Sequence, residues 1–306
     1  MTKKQVITFI LAFVALTANA QNNNGQGLIF PFLRLDRSPV STAMAGAGFS
    51  TTGENSSYAA FGNPAAAVFM DKTVSAGASY RMWGPKVLDE HQINAAFAVK
   101  IGKKLSVDAG YVRDIQPIVD PETETFHPND NNFALGLAYA ITDFLSIGVN
   151  GHYAMQELVQ NYRIQGFCAD AVVQYHNPSL NAAFGVVSIG PKVKSPSSGN
   201  SYNLPTSLKL AGDYTLSFED FRMTAALDAD YYFSGLLAAS VGASFSWKDM
   251  LFFRTGGRYA QDGAPVPSHL ALGAGAKLGP VRLDVSYITL NKVIGNSLMG
   301  GLNFEF

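Results

Sequence analysis

Asp228 and Asp230 come nearest to a catalytic pair in this chain: two carboxylates two residues apart, on one side of an extended segment, as acid–base work would require. The histidines at 91, 127, 152, 176 and 269 come next, and none has the H-E-x-x-H spacing that would set two imidazoles around a zinc ion. His127 shares a stretch with Asp120, Glu122, Glu124 and Asp130, an oxygen-rich set of the kind calcium takes. That stretch reads as a solvated acidic outer loop. A nucleophile elbow is missing, because the serines of Gly77-Ala78-Ser79, Gly242-Ala243-Ser244 and Gly295-Asn296-Ser297 lack the glycine that should follow. Phosphate-cradling glycine loops are missing too. The single cysteine, Cys168, has no disulfide partner and reads as a small apolar filler. The aspartate pair is therefore expected to face cations such as Arg222, Arg282 or Lys209 in a wet interior. The chain is expected not to be an enzyme, with no metal and no cofactor.

The elements that carry these residues show strict alternation. From Phe221 to Tyr231 every odd residue is apolar, while Arg222, Thr224, Asp228 and Asp230 fall on the other side. The same division separates Val281, Leu283, Val285 and Tyr287 from Arg282, Asp284 and Ser286, and Leu208, Leu210 and Tyr214 from Lys209 and Asp213. Leu105, Val107 and Tyr111 likewise oppose Ser106 and Asp108. A period of two with one greasy and one wet face is the mark of a strand between lipid and an aqueous lumen. Reading the whole chain this way predicts about fourteen strands, near 74–81, 92–100, 104–113, 132–140, 144–153, 167–175, 180–188, 206–215, 221–231, 236–246, 250–259, 268–277, 281–289 and 297–306.

Composition agrees. Only 15% of residues are charged and 47% are hydrophobic, too little charge to cover a water-soluble globule. After the first twenty residues no apolar run approaches the about 18 residues of a spanning helix, and lipid tolerates only helices or closed barrels. A net charge of -1 leaves no footprint for nucleic acid. Lys3 and Lys4, the apolar run from Val6 to Leu16, and Ala18-Asn19-Ala20 read as a secretory signal peptide over 1–20. Residues 21–73 are expected to form a plug and 74–306 the barrel. Connections alternate: short at Ile141-Thr142-Asp143, Trp247-Lys248-Asp249 and Leu278-Gly279-Pro280, long at 114–131, 154–166 and 189–205. Short turns are periplasmic and long loops external, so both termini are placed in the periplasm. The fold class is all-β, an antiparallel transmembrane barrel of the cell outer membrane.

The end of the chain, Gly301-Leu302-Asn303-Phe304-Glu305-Phe306, has a G-x-x-Φ-x-Φ form. It resembles the strand signal read by outer-membrane assembly machinery, with Gly301, Phe304 and Phe306 as the marking residues and Met299 where that pattern prefers a polar residue. Upstream, Ala43, Met44, Gly46 and Gly48 are small or flexible residues suited to close packing, and Asn63-Pro64 reads as a turn. Together with Phe30-Pro31-Phe32-Leu33, Thr51-Thr52, Asn55-Ser56 and Gly62-Asn63-Pro64-Ala65, these residues resemble the N-terminal signature of the PorV/PorQ family. Ala45 stands where that signature has a glycine, and Phe61-Gly62 where it has a bulky aromatic pair. The family comprises relatives of FadL-type channels that serve type IX protein secretion, and Thr51 to Ser56 favours the PorV branch.

The resemblance implies a plugged FadL-like barrel that binds the C-terminal β-sandwich sorting domains of cargo. It would pass them from the secretion translocon to the surface attachment complex. Outer stretches such as Arg81-Met82-Trp83-Gly84-Pro85 and 187–205 would offer the contacts. The alternative is a FadL-like transporter of hydrophobic small molecules. That reading calls for a greasy pocket continuous with a gap in the wall, for which Gly256-Gly257 is a candidate kink. Outer-membrane lipids are partners under either reading. A purely structural or adhesive barrel is the third class.

Overall fold

The computed structural model describes residues 27–85, 89–117, 126–196, 199–290 and 295–306. The expected signal peptide and the acidic stretch Asp120, Glu122 and Glu124 lie outside them. The strands are β1 (Val74–Trp83), β2 (Glu90–Ile101), β3 (Leu105–Ile115), β4 (Asn129–Thr142), β5 (Leu145–Val159), β6 (Tyr162–His176), β7 (Leu180–Ile189), β8 (Val193–Lys194) and β9 (Ser201–Tyr202). They continue with β10 (Ser207–Phe218), β11 (Phe221–Tyr232), β12 (Leu237–Trp247), β13 (Leu251–Ala260), β14 (His269–Leu278), β15 (Val281–Thr289) and β16 (Ser297–Glu305). All but β8 and β9, which form a small ladder of their own, close into one barrel of 14 antiparallel strands. The seam joins β1 to β16, and at its periplasmic end Val74 and Phe306 exchange backbone hydrogen bonds of 2.9 and 2.8 Å.

Alternation decides which way each side chain points. In β4 the outward residues Phe133, Leu135, Leu137, Tyr139 and Ile141 are all exposed, whereas Asp130, Asn132, Ala134, Ala138 and Ala140 are buried inward. An exposed leucine ladder flanked by rings is stable only against hydrocarbon. Among the described residues no helix is long and apolar enough to cross a membrane, so the crossing is made by strands.

Residues 27–73 run inside the barrel. They begin at the outer mouth, where Leu28 pairs with Asn203, and not at the periplasmic end expected for the N-terminal side, and they end at the periplasmic rim just before Val74. Between lie two 3-10 turns (Pro31–Arg34 and Ser56–Phe61) and two short helices (Pro39–Ala43 and Pro64–Ala67). Both helices open on proline, whose fixed φ suits the first turn and whose missing N–H is not needed there. Such short helices are unstable alone, so the barrel wall must hold them. It does so through buried alanines and serines and a set of ion pairs.

Two outer connections differ from the sequence reading. The stretch 154–166, expected as a long link, is mostly strand: β5 runs to Val159, β6 starts at Tyr162, and Asn161 turns the chain at φ 67. Above the bilayer an outward side chain no longer needs to be apolar. The hydrophobic alternation therefore fades at Met155, Glu157, Arg163 and Gln165 while the backbone pairing continues. For the same reason β3 and β4 narrow the expected 114–131 loop to the residues between Ile115 and Asn129.

Candidate functional site

The lumen is organised around two ionic anchors that grip the plug. At the outer one, Arg34 of the plug lies 2.7 Å from Asp230 on β11. Lys209 on β10 bridges Asp228 (3.3 Å) and Asp230 (3.6 Å), and Arg258 on β13 reaches Asp230 at 3.4 Å. Asp228 also accepts hydrogen bonds from the backbone N–H groups of Gly48 and Phe49, each at 3.2 Å. The aspartate pair thus holds the plug, with its charge matched by cations from two strands and the plug itself. Of the three cations expected beside it, only Lys209 is there. Arg222 and Arg282 lie lower in the barrel, because each is the second residue of its strand, β11 and β15, both of which start at the inner rim and run outward.

They belong to the inner anchor. Glu54 of the plug sits 2.7 Å from Arg254 and 3.5 Å from Arg222, while Arg282 donates to the Glu54 carbonyl. Arg254 and Arg282 are tied to Asp284 at 2.8 and 2.7 Å. Burial pushes the Glu54 carboxyl up, but Arg254, Arg282 and Arg222 outweigh it and hold the group down at about 2. Beneath this anchor opens a polar vestibule of about 430 Å³, lined by Glu54, Phe69, Lys72, His176, Arg222 and Lys277 among others.

The plug residues singled out in the sequence make the close contacts between these anchors. Met44 presses its backbone on β13: a Cβ on Gly256 would stand 2.3 Å from the Met44 carbonyl. Ala43 packs on Gly273 of β14, and Gly46 turns the chain at φ 86 beside Asp36. Asn63 donates to Gln174 of β6 (2.7 Å) and to the Phe49 carbonyl (2.8 Å), and Pro64 starts the helix whose Ala65 carbonyl accepts from Ser146. Gly301 faces the lumen against Pro39, while Phe304 and Phe306 are exposed on the outer face. Met299 faces the lumen, where its sulfur accepts from Thr42 at 3.4 Å.

Among the described residues the wall shifts register beside two hairpin turns, at Ala140/Thr142 and Glu157/Val159, and at one place away from those turns, and none of these is Gly256-Gly257. β13 pairs evenly with β12 and β14 through both glycines, which serve the plug contact instead of a kink. The break away from the turns lies between β6 and β7, where Ala169 pairs with Ile189 but Ala171 with Val186. This is a bulge of one residue. Ser188 turns out of the ladder at φ 55, its N–H donating to Asp170 (2.7 Å), which also meets His152 at 2.9 Å. Beyond it β6 continues outward to Tyr162 with no described strand paired on that side. Behind the bulge sits the apolar cluster of Ile29, Phe30, Phe32, Cys168, Val193 and Leu204. Cys168 fills this cluster as the small apolar side chain expected, and the cluster has no signature in local spacing because its members come from the plug, the wall and the outer loop.

Two further groups escaped the sequence for the same reason. Glu90, Asp114 and Asp130, on three strands, bring carboxylate oxygens within 4.8 Å of one another at the outer mouth, with Arg37 3.5 Å from Asp114. The expected outer contact Arg81-Met82-Trp83 is the end of β1, and Arg81 and Trp83 are buried in the lumen, where Arg81 donates to Thr42 at 2.9 Å.

No family model and no curated protein matches this chain. Its likeness to known proteins lies in the fold. The Ralstonia pickettii toluene transporter TbuX superposes with a TM-score of 0.58 at 13% identity, over 92% of this chain and 99% of that one. The CymD monoaromatic hydrocarbon channel gives 0.62 at 13% identity, over 88% and 97%. A Pseudomonas aeruginosa FadL homologue gives 0.52 at 12% identity, over 92% and 98%. The chain has the FadL-like fold of a closed fourteen-strand outer-membrane barrel.

Proposed function

We propose that this barrel is an outer-membrane conduit for small hydrophobic molecules, closed by its plug and entered sideways through the β6–β7 bulge. The carrying observation is the bulge itself, backed by the apolar cluster Ile29, Phe30, Phe32, Val193 and Leu204. An apolar solute gains nothing from an axis lined with buried arginines and aspartates, since it would have to displace ion pairs without replacing their interactions. The cluster offers the opposite surface, beside the interruption in the wall. The fold is shared with a toluene transporter and a monoaromatic hydrocarbon channel, which supports a small apolar solute as the cargo class.

The test is a reversible staple. Leu28 and Asn203 are bridge partners, within the span of a disulfide once both are cysteine. With Cys168→Ala in the background, the oxidised Leu28→Cys/Asn203→Cys protein should lose toluene and fatty-acid uptake into vesicles and regain it on reduction. Uptake indifferent to the staple sinks the sideways entry. Wild-type vesicles no more permeable to either solute than protein-free ones sink the conduit.

A second reading, a cargo-binding component of type IX secretion, has its own observation. On its β7 side the outer half of β6 has no described strand paired with it, a place where a β-sandwich sorting domain can add one. The PorV/PorQ-like residues do not supply that surface, because Phe30, Phe32, Met44, Asn63 and Pro64 are buried in the plug. Co-purification of the folded barrel with such a domain, abolished by Gly166→Pro on β6, would favour this reading over transport.

A further inference from the structure

The outward face of β3–β6 changes character at one level. Tyr111, Phe133, Tyr153 and Phe167 stand side by side on four consecutive strands in direct register. The Tyr111 and Phe133 rings lie 4.5 Å apart and those of Tyr153 and Phe167 4.8 Å apart. A continuous ring row of this kind marks the boundary between acyl chains and headgroups. Below it on the same face come Leu135, Leu137 and Val149, all exposed.

Directly above it, still facing away from the lumen, a cavity of about 320 Å³ is lined by Arg113, Asn129, Asn131, Met155, Glu157 and Arg163. The amides are already ordered from below: Tyr111 donates to Asn131 (2.7 Å), and Asn131 donates to Asn129 (2.8 Å). Tyr153 donates to Gln165 at 2.7 Å. The two arginines stand at opposite ends of the row, on β3 and β6, about 15 Å apart at the backbone by strand spacing. Arg163 is shared with Glu157 at 3.2 Å, whereas no described group pairs with Arg113. A cation with no carboxylate among the described residues, beside ordered amides and directly over a lipid-facing aromatic row, is placed for the headgroup of a lipid.

We propose that this face is a binding site for a phosphorylated glycolipid of the outer leaflet. Arg113 and Arg163 would hold phosphate by charge-assisted hydrogen bonds. The side-chain amides of Asn129 and Asn131 would meet sugar hydroxyls, and the four rings would carry the acyl chains. The tall β5–β6 hairpin is what supplies Glu157 and Arg163, since a loop at 154–166 would leave the row one end short.

The probes are bisphosphorylated lipid A and its dephosphorylated form, each in detergent micelles with the whole folded barrel, read by native mass spectrometry. The expected result is retention of the phosphorylated lipid, a loss of about tenfold in Arg113→Gln/Arg163→Gln, and tighter retention in Glu157→Gln. Arg113→Gln alone, which removes no described ion pair, serves if the double variant does not fold, and it should lose part of the same affinity. Equal retention of the two lipids, or variants indistinguishable from wild type, would overturn the assignment. So would displacement of the lipid by inorganic phosphate at equal concentration, which would mark an anion site without lipid recognition.

Discussion

Arg34 and Asp230 are 196 residues apart in the chain and 2.7 Å apart in space, one on the plug and one on the barrel wall. Their contact joins the two parts of the molecule at the outer end, as Glu54 with Arg254 does at the inner end. The plug between them is too short in its helices to hold its own shape, so the anchors decide whether the lumen is closed.

Asp230→Asn should cost about 3–5 kcal/mol, because it leaves Arg34 and Arg258 buried without their counter-charge and Lys209 with Asp228 alone. Urea unfolding of the protein from lipid vesicles measures this. A change under about 1 kcal/mol, typical of exposed pairs, would mean that the outer anchor is solvated.

Gly256→Val should push the plug away from β13, since the added carbon meets the Met44 carbonyl at 2.3 Å. The expected penalty is about 1–3 kcal/mol, with a rise in single-channel conductance while the barrel still assembles. Gly257→Ala is the control: its nearest neighbour is Leu270 at 3.3 Å on the outer face, and it should change stability by no more than about 0.5 kcal/mol.

Acid should loosen the inner anchor. Glu54 is held at about 2, below the value of about 4.3 it has in an unfolded chain. Its contribution is therefore complete above the unfolded value and disappears as pH falls through 4 toward 2. Protease access to the plug in reconstituted barrels should rise over that window, and Glu54→Gln should be accessible already at neutral pH, with a flat profile. A wild-type profile flat from pH 5 to 2 would remove Glu54 from this role.

Phe306 projects outward at the periplasmic rim with 62% of its surface exposed, while its backbone closes the seam with Val74. Phe306→Ser should weaken insertion by about 1–2 kcal/mol of lost apolar contact and slow assembly in cells. Folding into vesicles, followed by gel mobility without heating, reads the rate. Wild-type kinetics would leave the terminal aromatic without a part in insertion.

The barrel was legible in the chain because lipid imposes a rule on every second side chain. Phe221 to Tyr231 alternates whether or not its neighbours are known, and β11 follows that stretch. The same rule misled above the bilayer, where Met155, Glu157, Arg163 and Gln165 belong to strands that hydrophobicity no longer marks. The glycine pair on β13 was visible as an anomaly, but its cause was not, since a kink and a close plug contact call for the same missing side chain.

The residues themselves determined the alternation, the strand number and the polar inward face, all of which follow from local spacing and from what hydrocarbon excludes. Tertiary structure alone decided which charges meet. Lys209 reached the aspartate pair because β10 pairs beside β11 with Lys209 opposite Asp230, whereas Arg222 stands about 20 Å down β11 itself and Arg282 at the start of β15. The bulge beside Ser188, the apolar cluster behind it and the arginine-flanked face above the aromatic row arise likewise from strands brought side by side, and spacing along one chain carries no record of neighbours across the barrel.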